Sequence, residues 1–158
     1  MVDRLSRHRP VMVSPVLEAL APAPGRLLLD ATAGDGGHLE AWLDACGQTG
    51  RAIGLDRDAS ALGRAEQRLA RFGERVLLRH ADYRDVAELL DERELAPPDA
   101  VLLDLGIGSH QLDDASRGFS FRLDGPLDMR FDREQPGVTA AELLAHASEP
   151  ELTRIFRE

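Results

Sequence analysis

Short apolar runs recur along the first two thirds of the chain, each bounded by glycine, proline or an acid. RLLLDAT (26–32), GRAIGLD (50–56), ERVLLRHAD (74–82) and DAVLLDLGIG (99–108) have the length of buried strands and are predicted as four of them. Between the runs the apolar period changes to that of a helix. HLEAWLDAC (38–46) sets Leu39, Trp42, Leu43 and Cys46 on one face, and SALGRAEQRLARF (60–72) does the same with Leu62, Ala65, Leu69 and Phe72. VAELLDEREL (86–95) is a third helix, closed by Pro97 and Pro98. A short helix, PVLEAL (15–20), and a turn, PAPG (22–25), precede the first strand. Strand and helix alternate throughout, so the predicted fold class is α/β: four parallel strands with helices on both faces.

The pattern changes after residue 108. Residues 109–137 have no period, hold three Phe and many charges, and are predicted as a functional loop or lid. TAAELLAHA (139–147) and PELTRIFRE (150–158) follow as helices, with Ser148 as an N-cap and Pro150 in the first turn. The expected organisation is 1–108 as a sheet domain and 109–158 as loop plus helices. Four strands make a small open sheet whose fourth member is an unprotected edge. The chain is therefore expected to be the N-terminal part of a larger design.

Composition narrows the function. The 158 residues are 43% apolar and 30% charged, which fits one globular domain. The net charge of −9 excludes a generally basic nucleic-acid coat but not an enzyme that meets RNA through a local patch. All 19 basic residues are Arg, a usage that reflects coding bias or guanidinium recognition of phosphate. Arg4, Arg7, His8 and Arg9 form a short basic arm. Cys46 is the single cysteine, expected as a small buried residue at a helix end; a lone thiol builds neither an internal disulfide nor a zinc site. The histidines lack ligand-pair spacing, so no metal is expected. No apolar run approaches the roughly 18 residues of a membrane span, and the polar N-terminus lacks a secretion signal. A cytoplasmic setting is expected.

Candidate chemistry gathers at the carboxyl ends of the predicted strands, where open α/β sheets bind ligands. The first strand runs into Asp30-Ala-Thr-Ala-Gly34-Asp35-Gly36-Gly37-His38. A strand, a glycine turn and a helix bring backbone N–H groups close to a ligand, or serve packing alone. The spacing is not G-x-G-x-x-G, which speaks against a nicotinamide enzyme; it resembles the first motif of S-adenosylmethionine-dependent methyltransferases. Asp56 ends the second strand and suits the paired hydroxyls of a ribose, whereas Asp58 suits a helix cap. Asp82 and Tyr83 follow the third strand. The acid there receives an adenine amine or caps the next helix, and the ring covers an adenine face. Asp104 follows the fourth strand, beside the place of a transferring methyl group or as a loop anchor.

DLGIGSHQLDDASRGFSFRLDGPLDMRFD (104–132) carries a more specific resemblance. With HRPVMVSPVLEAL, LDATAGDGGH and IGLDRDASAL, it closely resembles the bacterial small-subunit ribosomal RNA (cytosine-N4)-methyltransferase family, also called RsmH or MraW, over essentially the whole chain. The resemblance implies a Rossmann-like sheet interrupted by a helical substrate-recognition insert, which residues 109–158 would begin. It implies methyl transfer from S-adenosyl-L-methionine to the exocyclic N4 amine of a cytidine in 16S ribosomal RNA, with the small ribosomal subunit as partner. Gly36, Gly37, His38, Asp56, Tyr83, Asp104 and Gln111 match the family's cofactor-binding positions. Three departures stand out: Tyr83 replaces the usual Phe, Gly108-Ser109-His110 replaces Ser-Ser-Pro, and Asp35 replaces Gly or Arg. The family also runs to about twice this length.

The implied chemistry needs few groups. The amine of cytosine is a poor nucleophile because its lone pair spreads into the ring. An acceptor at that amine favours attack and stabilises the charge that develops, a role expected of Asp104. The target base must leave its stack. Phe119, Phe121 and Phe131 either stack the splayed base or anchor the loop. Arg117, Arg122 and Arg130 either touch phosphate or pair with the acids among them. The alternative to an enzyme is a truncated, non-catalytic fragment that at most binds cofactor or a partner.

Overall fold

Four strands form one parallel sheet in the order β3-β2-β1-β4: β1 (Leu27–Asp30), β2 (Arg51–Asp56), β3 (Val76–His80) and β4 (Ala100–Leu102). The computed structural model describes residues 10–92 and 95–157. The basic arm with Arg4, Arg7, His8 and Arg9 lies outside the described residues, as do Arg93 and Glu94 of the third expected helix.

The helices are α1 (Val13–Leu20), α2 (Gly37–Ala45), α3 (Ala59–Leu69) and α4 (Val86–Glu92). All four residues of β1 are buried, because both faces of the sheet are covered. Leu28 points into a core with Trp42, Leu43, Leu62 and Leu69 of α2 and α3. Leu27 and Leu29 point the other way, into a second core with Ile53 and Leu55 against Val86 and Leu89 of α4. The period-2 alternation of a strand thus splits one apolar run between two cores. Cys46 caps α2 and is buried in the first core.

The expected helix at 60–72 begins one residue earlier. It passes after Leu69 into a 3-10 segment, Ala70–Arg75, where Gly73 leaves helical geometry. Three arginines of α3 and the 3-10 segment pair with acids earlier in the chain. Arg64 pairs with Asp35 at 2.9 Å, Arg68 with Glu40 at 2.7 Å and Arg71 with Asp44 at 2.6 Å. The Arg68–Glu40 pair is largely screened from solvent, whereas the Arg71–Asp44 pair is half exposed.

The chain steps outward from β1 to β2 to β3, then returns to place β4 on the far side of β1. This reversal opens a crevice at the carboxyl ends of β1 and β4. β4 pairs with β1 alone among the described strands, and Val101 on it is half exposed.

The chain divides after Leu105 into two units, the second running from Gly106 to Glu158. The second unit holds α5 (Ser109–Leu112), a 3-10 turn at Ala115–Arg117, α6 (Ala140–His146) and α7 (Glu149–Arg157). The stretch expected as an aperiodic loop therefore contains two short helical turns. Thr139 caps α6 reciprocally with Glu142, and Ser148 donates to Glu151 Oε2 at 2.7 Å ahead of α7.

The rest of 109–137 is held by its own contacts. Asp128 is buried and receives Arg130 through Nε at 2.8 Å and Nη2 at 2.9 Å. Arg117 donates to the carbonyls of Arg130 and Phe131. Phe119 is buried, with its ring centroid 5.3 Å from that of Phe131. These residues follow the anchoring alternative, and Phe121 stands fully exposed. No helix among the described residues is long and apolar enough to cross a membrane.

Candidate functional site

β1 ends in Asp30, and the backbone then turns through Gly34, Gly36 and Gly37 into α2. Gly34 and Gly36 both have positive φ, which favours glycine. Their surroundings differ. A Cβ on Gly36 would press into Leu69 and Ala65 of α3, and one on Gly37 would collide with Pro10. These two glycines are required by the chain's own packing. A Cβ on Gly34 would meet nothing closer than 4.0 Å, so this part of the turn leaves room for a ligand's close approach.

Asp56 reaches across the turn from the end of β2. Its Oδ2 accepts the Gly34 N–H at 2.7 Å and its Oδ1 accepts the Asp58 N–H at 2.8 Å. Each carboxylate oxygen keeps acceptor capacity, so the group is aimed and still able to receive two hydroxyls. Asp58 caps α3 by accepting from Ser60 and Ala61, as its position in the sequence suggested.

Tyr83 opens the 3-10 turn after β3 and is 42% exposed, open to stacking. Asp82 follows the capping alternative. It accepts the Arg84 N–H at 2.9 Å and also faces the Arg84 and Arg57 guanidiniums. The Arg84 hydrogen bonds hold its carboxyl well below the usual range, at about 2.

Asp104 stands at the crevice between β1 and β4. Its backbone N–H donates to Thr32 Oγ1 at 2.7 Å, and its carboxylate lies 3.5 Å from His38 Nε2. The carboxylate is 56% exposed and so accessible to a substrate. His38 is buried at the start of α2. Asp35 is drawn to Arg64 at 2.9 Å, which offsets the negative charge that this departure adds to the turn.

Gln111 lies in the second unit. It is buried in α5, where its Oε1 accepts the Gly108 N–H at 3.0 Å. The first unit thus brings Gly36, Gly37, His38, Asp56, Tyr83 and Asp104 to the carboxyl edge of one sheet.

Two residues of the glycine-turn motif, Asp30 and Thr32, were given no role of their own from the sequence. Asp30 is 1% exposed; its Oδ1 accepts from the Thr32 backbone at 3.0 Å and from the Thr32 hydroxyl at 3.3 Å, while its Oδ2 has no hydrogen-bond partner. Burial pushes its carboxyl up to about 7, and the charges of Asp56 and Asp104 push the same way. Thr32 joins Asp30 to the backbone of Asp104. An acid ending a buried strand was visible in the sequence. The role of Thr32 as a junction depends on pairing across 72 positions, for which no sequence signal exists. Among the described residues no group of three His, Cys, Asp or Glu is placed to hold a metal ion.

The model of the MraW methylase family matches residues 5–158. The chain is 49% identical over 158 residues to the ribosomal RNA small subunit methyltransferase H of Syntrophotalea carbinolica, covering 100% of this chain and 50% of that one. It is 49% identical over 153 residues to the protein of the same name from Thermobifida fusca, covering 95% and 46%. The chain spans about half the length of the curated relatives it matches. Among solved structures, it is similar to the C-terminal domain of precorrin-6Y C5,15-methyltransferase from Rhodobacter capsulatus. That likeness has a TM-score of 0.50 at 29% identity over 63% of this chain and 50% of that chain. NSun6 from Pyrococcus horikoshii, solved with SFG, shares the fold with a TM-score of 0.53 at 22% identity, over 66% of this chain and 26% of that one. The four-stranded parallel sheet is the Rossmann-like sheet of methyltransferases, and the chain belongs to the MraW methylase family.

Proposed function

We propose that this chain binds S-adenosyl-L-methionine at the carboxyl edge of its sheet. We propose further that it carries the methyl-transfer site of an enzyme acting on the N4 amine of a cytidine in 16S ribosomal RNA. Family membership and the methyltransferase fold support the cofactor. The observation that carries the reading is the convergence of the glycine turn, Asp56 and Asp104 on the ends of the adjacent strands β1, β2 and β4. The open space at Gly34 and the unpartnered Asp30 Oδ2 fit a ligand that is close-packed and cationic.

When bound, the cofactor supplies a methyl group on a positively charged sulfur, an already activated leaving group. The chain's own residues then have three tasks. Asp56 receives the ribose hydroxyls with the oxygens that Gly34 and Asp58 hold in place. Tyr83 covers an adenine face, and the backbone at Gly36 and Gly37, with His38, completes the first unit's cofactor set; Gln111, in the second unit, matches the family's remaining cofactor position. Asp104 accepts a hydrogen bond from the attacking amine, which orients the nitrogen and stabilises the charge that develops there. Its exposure leaves the carboxylate accessible, Thr32 fixes its backbone N–H, and His38 Nε2 lies 3.5 Å from the carboxylate. The partner is the small ribosomal subunit or its RNA, and the setting is the cytoplasm.

A second reading is cofactor binding without turnover, since the chain spans about half the length of the curated relatives it matches. One experiment separates the two. The chain is incubated with methyl-labelled S-adenosylmethionine and either 16S RNA or small subunits, and the nucleosides are then separated. Label in N4-methylcytidine that is lost with Asp104→Asn supports catalysis. Cofactor binding without label supports the second reading, and no binding defeats both.

A further inference from the structure

The least expected group at the sheet edge is the carboxyl of Asp30. It is 1% exposed, and Oδ2 has no hydrogen-bond partner, while Thr32 serves Oδ1 alone. The charged groups that act on it are Asp56 from the end of β2 and Asp104 from the loop after β4, both acids. From α2, His38 stands at this edge, with its Nε2 3.5 Å from the Asp104 carboxylate. A buried carboxylate between two others, with one oxygen unserved, is an unfavourable anion. Burial accordingly pushes this carboxyl up to about 7.

Resting on the cofactor reading above, we propose that Asp30 carries a proton in the cofactor-free chain and gives it up to solvent when a cation occupies the glycine turn. The proton leaves Oδ2, the carboxylate faces the positive charge, and net charge at the edge is conserved. S-adenosylmethionine brings two cationic centres, a sulfonium and an ammonium; the demethylated product keeps only the ammonium. Cofactor entry is then linked to proton release, and affinity rises with pH until Asp30 is ionised in the free chain. A site so built favours the cationic form of its ligand, because only a cation gains an ion pair with the Asp30 carboxylate, while a neutral group leaves Asp30 protonated.

The test counts protons and does not use turnover. S-adenosylmethionine and S-adenosylhomocysteine are titrated calorimetrically into the whole chain at pH 6, in two buffers of different ionisation enthalpy. The expected result is release approaching one proton per S-adenosylmethionine bound, falling to near zero at pH 8 and absent in Asp30→Asn at both. Release with both ligands identifies the ammonium as the group faced; release with S-adenosylmethionine alone identifies the sulfonium, and either supports the proposal. Binding without proton release, or release unchanged in Asp30→Asn, overturns it while leaving the cofactor reading intact. No binding by a chain that circular dichroism shows to be folded overturns both. Asp30→Asn removes the titratable proton without changing shape, and the wild-type proton count stands even if that variant fails to fold.

Discussion

The backbone N–H of Asp104 donates to the hydroxyl of Thr32 at 2.7 Å, tying the exit of β4 to the exit of β1. Through the same hydroxyl Thr32 reaches the buried Asp30. The acceptor proposed for the substrate amine is thus aimed by a residue that need not touch substrate. Thr32→Val keeps the shape and removes the link. A neutral hydrogen bond is worth about 1 kcal/mol, so the expected loss of cofactor affinity is about fivefold, read by titration calorimetry. Thr32→Ser, which keeps the hydroxyl, restores most of it. Equal affinities for wild type and Thr32→Val would remove the tie from the site's working parts.

Asp56 joins the turn to the proposed ribose site. Asp56→Asn replaces one acceptor oxygen with a donor, which then faces the N–H of Gly34 or of Asp58. Hydrogen bonds to a charged group contribute about 1.5–3 kcal/mol, so cofactor affinity should fall roughly 10- to 100-fold. Fold stability should fall as well, because a backbone N–H loses its acceptor. Binding calorimetry together with a urea melt checks both, and undiminished affinity would contradict the ribose role.

Gly36→Ala should destabilise the chain even without ligand. The position has positive φ, and the new methyl meets Leu69 and Ala65. Left-handed backbone costs about 1–2 kcal/mol for alanine, and overpacking adds roughly 1–3. Gly47 also has positive φ but opens to empty space, so Gly47→Ala should lose only the backbone part. Urea unfolding of the two variants should separate them by about the overpacking cost.

Stability should depend on pH at both ends of the scale, with opposite signs. Asp30 has a folded value near 7 against an ordinary 3.8, so the native state binds the extra proton between them. Its contribution is fully present below about 3.8 and is lost as pH rises through about 7. Asp82 and Asp128 sit near 2, held there by Arg84 and Arg130. Their contribution is present above the ordinary 3.8 and is lost as pH falls through about 2. Thermal melts of Asp30→Asn should lose the decline between pH 4 and 7, and Asp128→Asn should flatten the acid limb.

The sheet was legible because each strand is an apolar run and each helix shows a separate period. Leu27, Leu28 and Leu29 read as buried without knowing which core each enters. Asp58 was legible as a cap from its place before α3, and Cys46 as a buried helix end. The region after Gly108 was less so. α5 spans one turn, too short for a period, and the order around Asp128 comes from Arg130, Arg133 and Arg117 rather than from an apolar stripe. At the site, motif spacing brought out the glycine turn, Asp56 and Asp104. The junction at Thr32 and the unserved oxygen of Asp30 arise only when β4 returns beside β1, and local sequence carries no record of that pairing.

The most direct measurement is a thermal melt of the chain at pH 7.5, with and without S-adenosylmethionine, for wild type and Asp56→Ala. A ligand that binds only the folded state at 100 times its Kd adds about 2.7 kcal/mol. The predicted result is a cooperative transition that moves several degrees upward in the wild type and stays in place in Asp56→Ala. A wild-type transition unmoved by saturating cofactor, or one raised equally in both proteins, would contradict a cofactor site at the ends of β1 and β2.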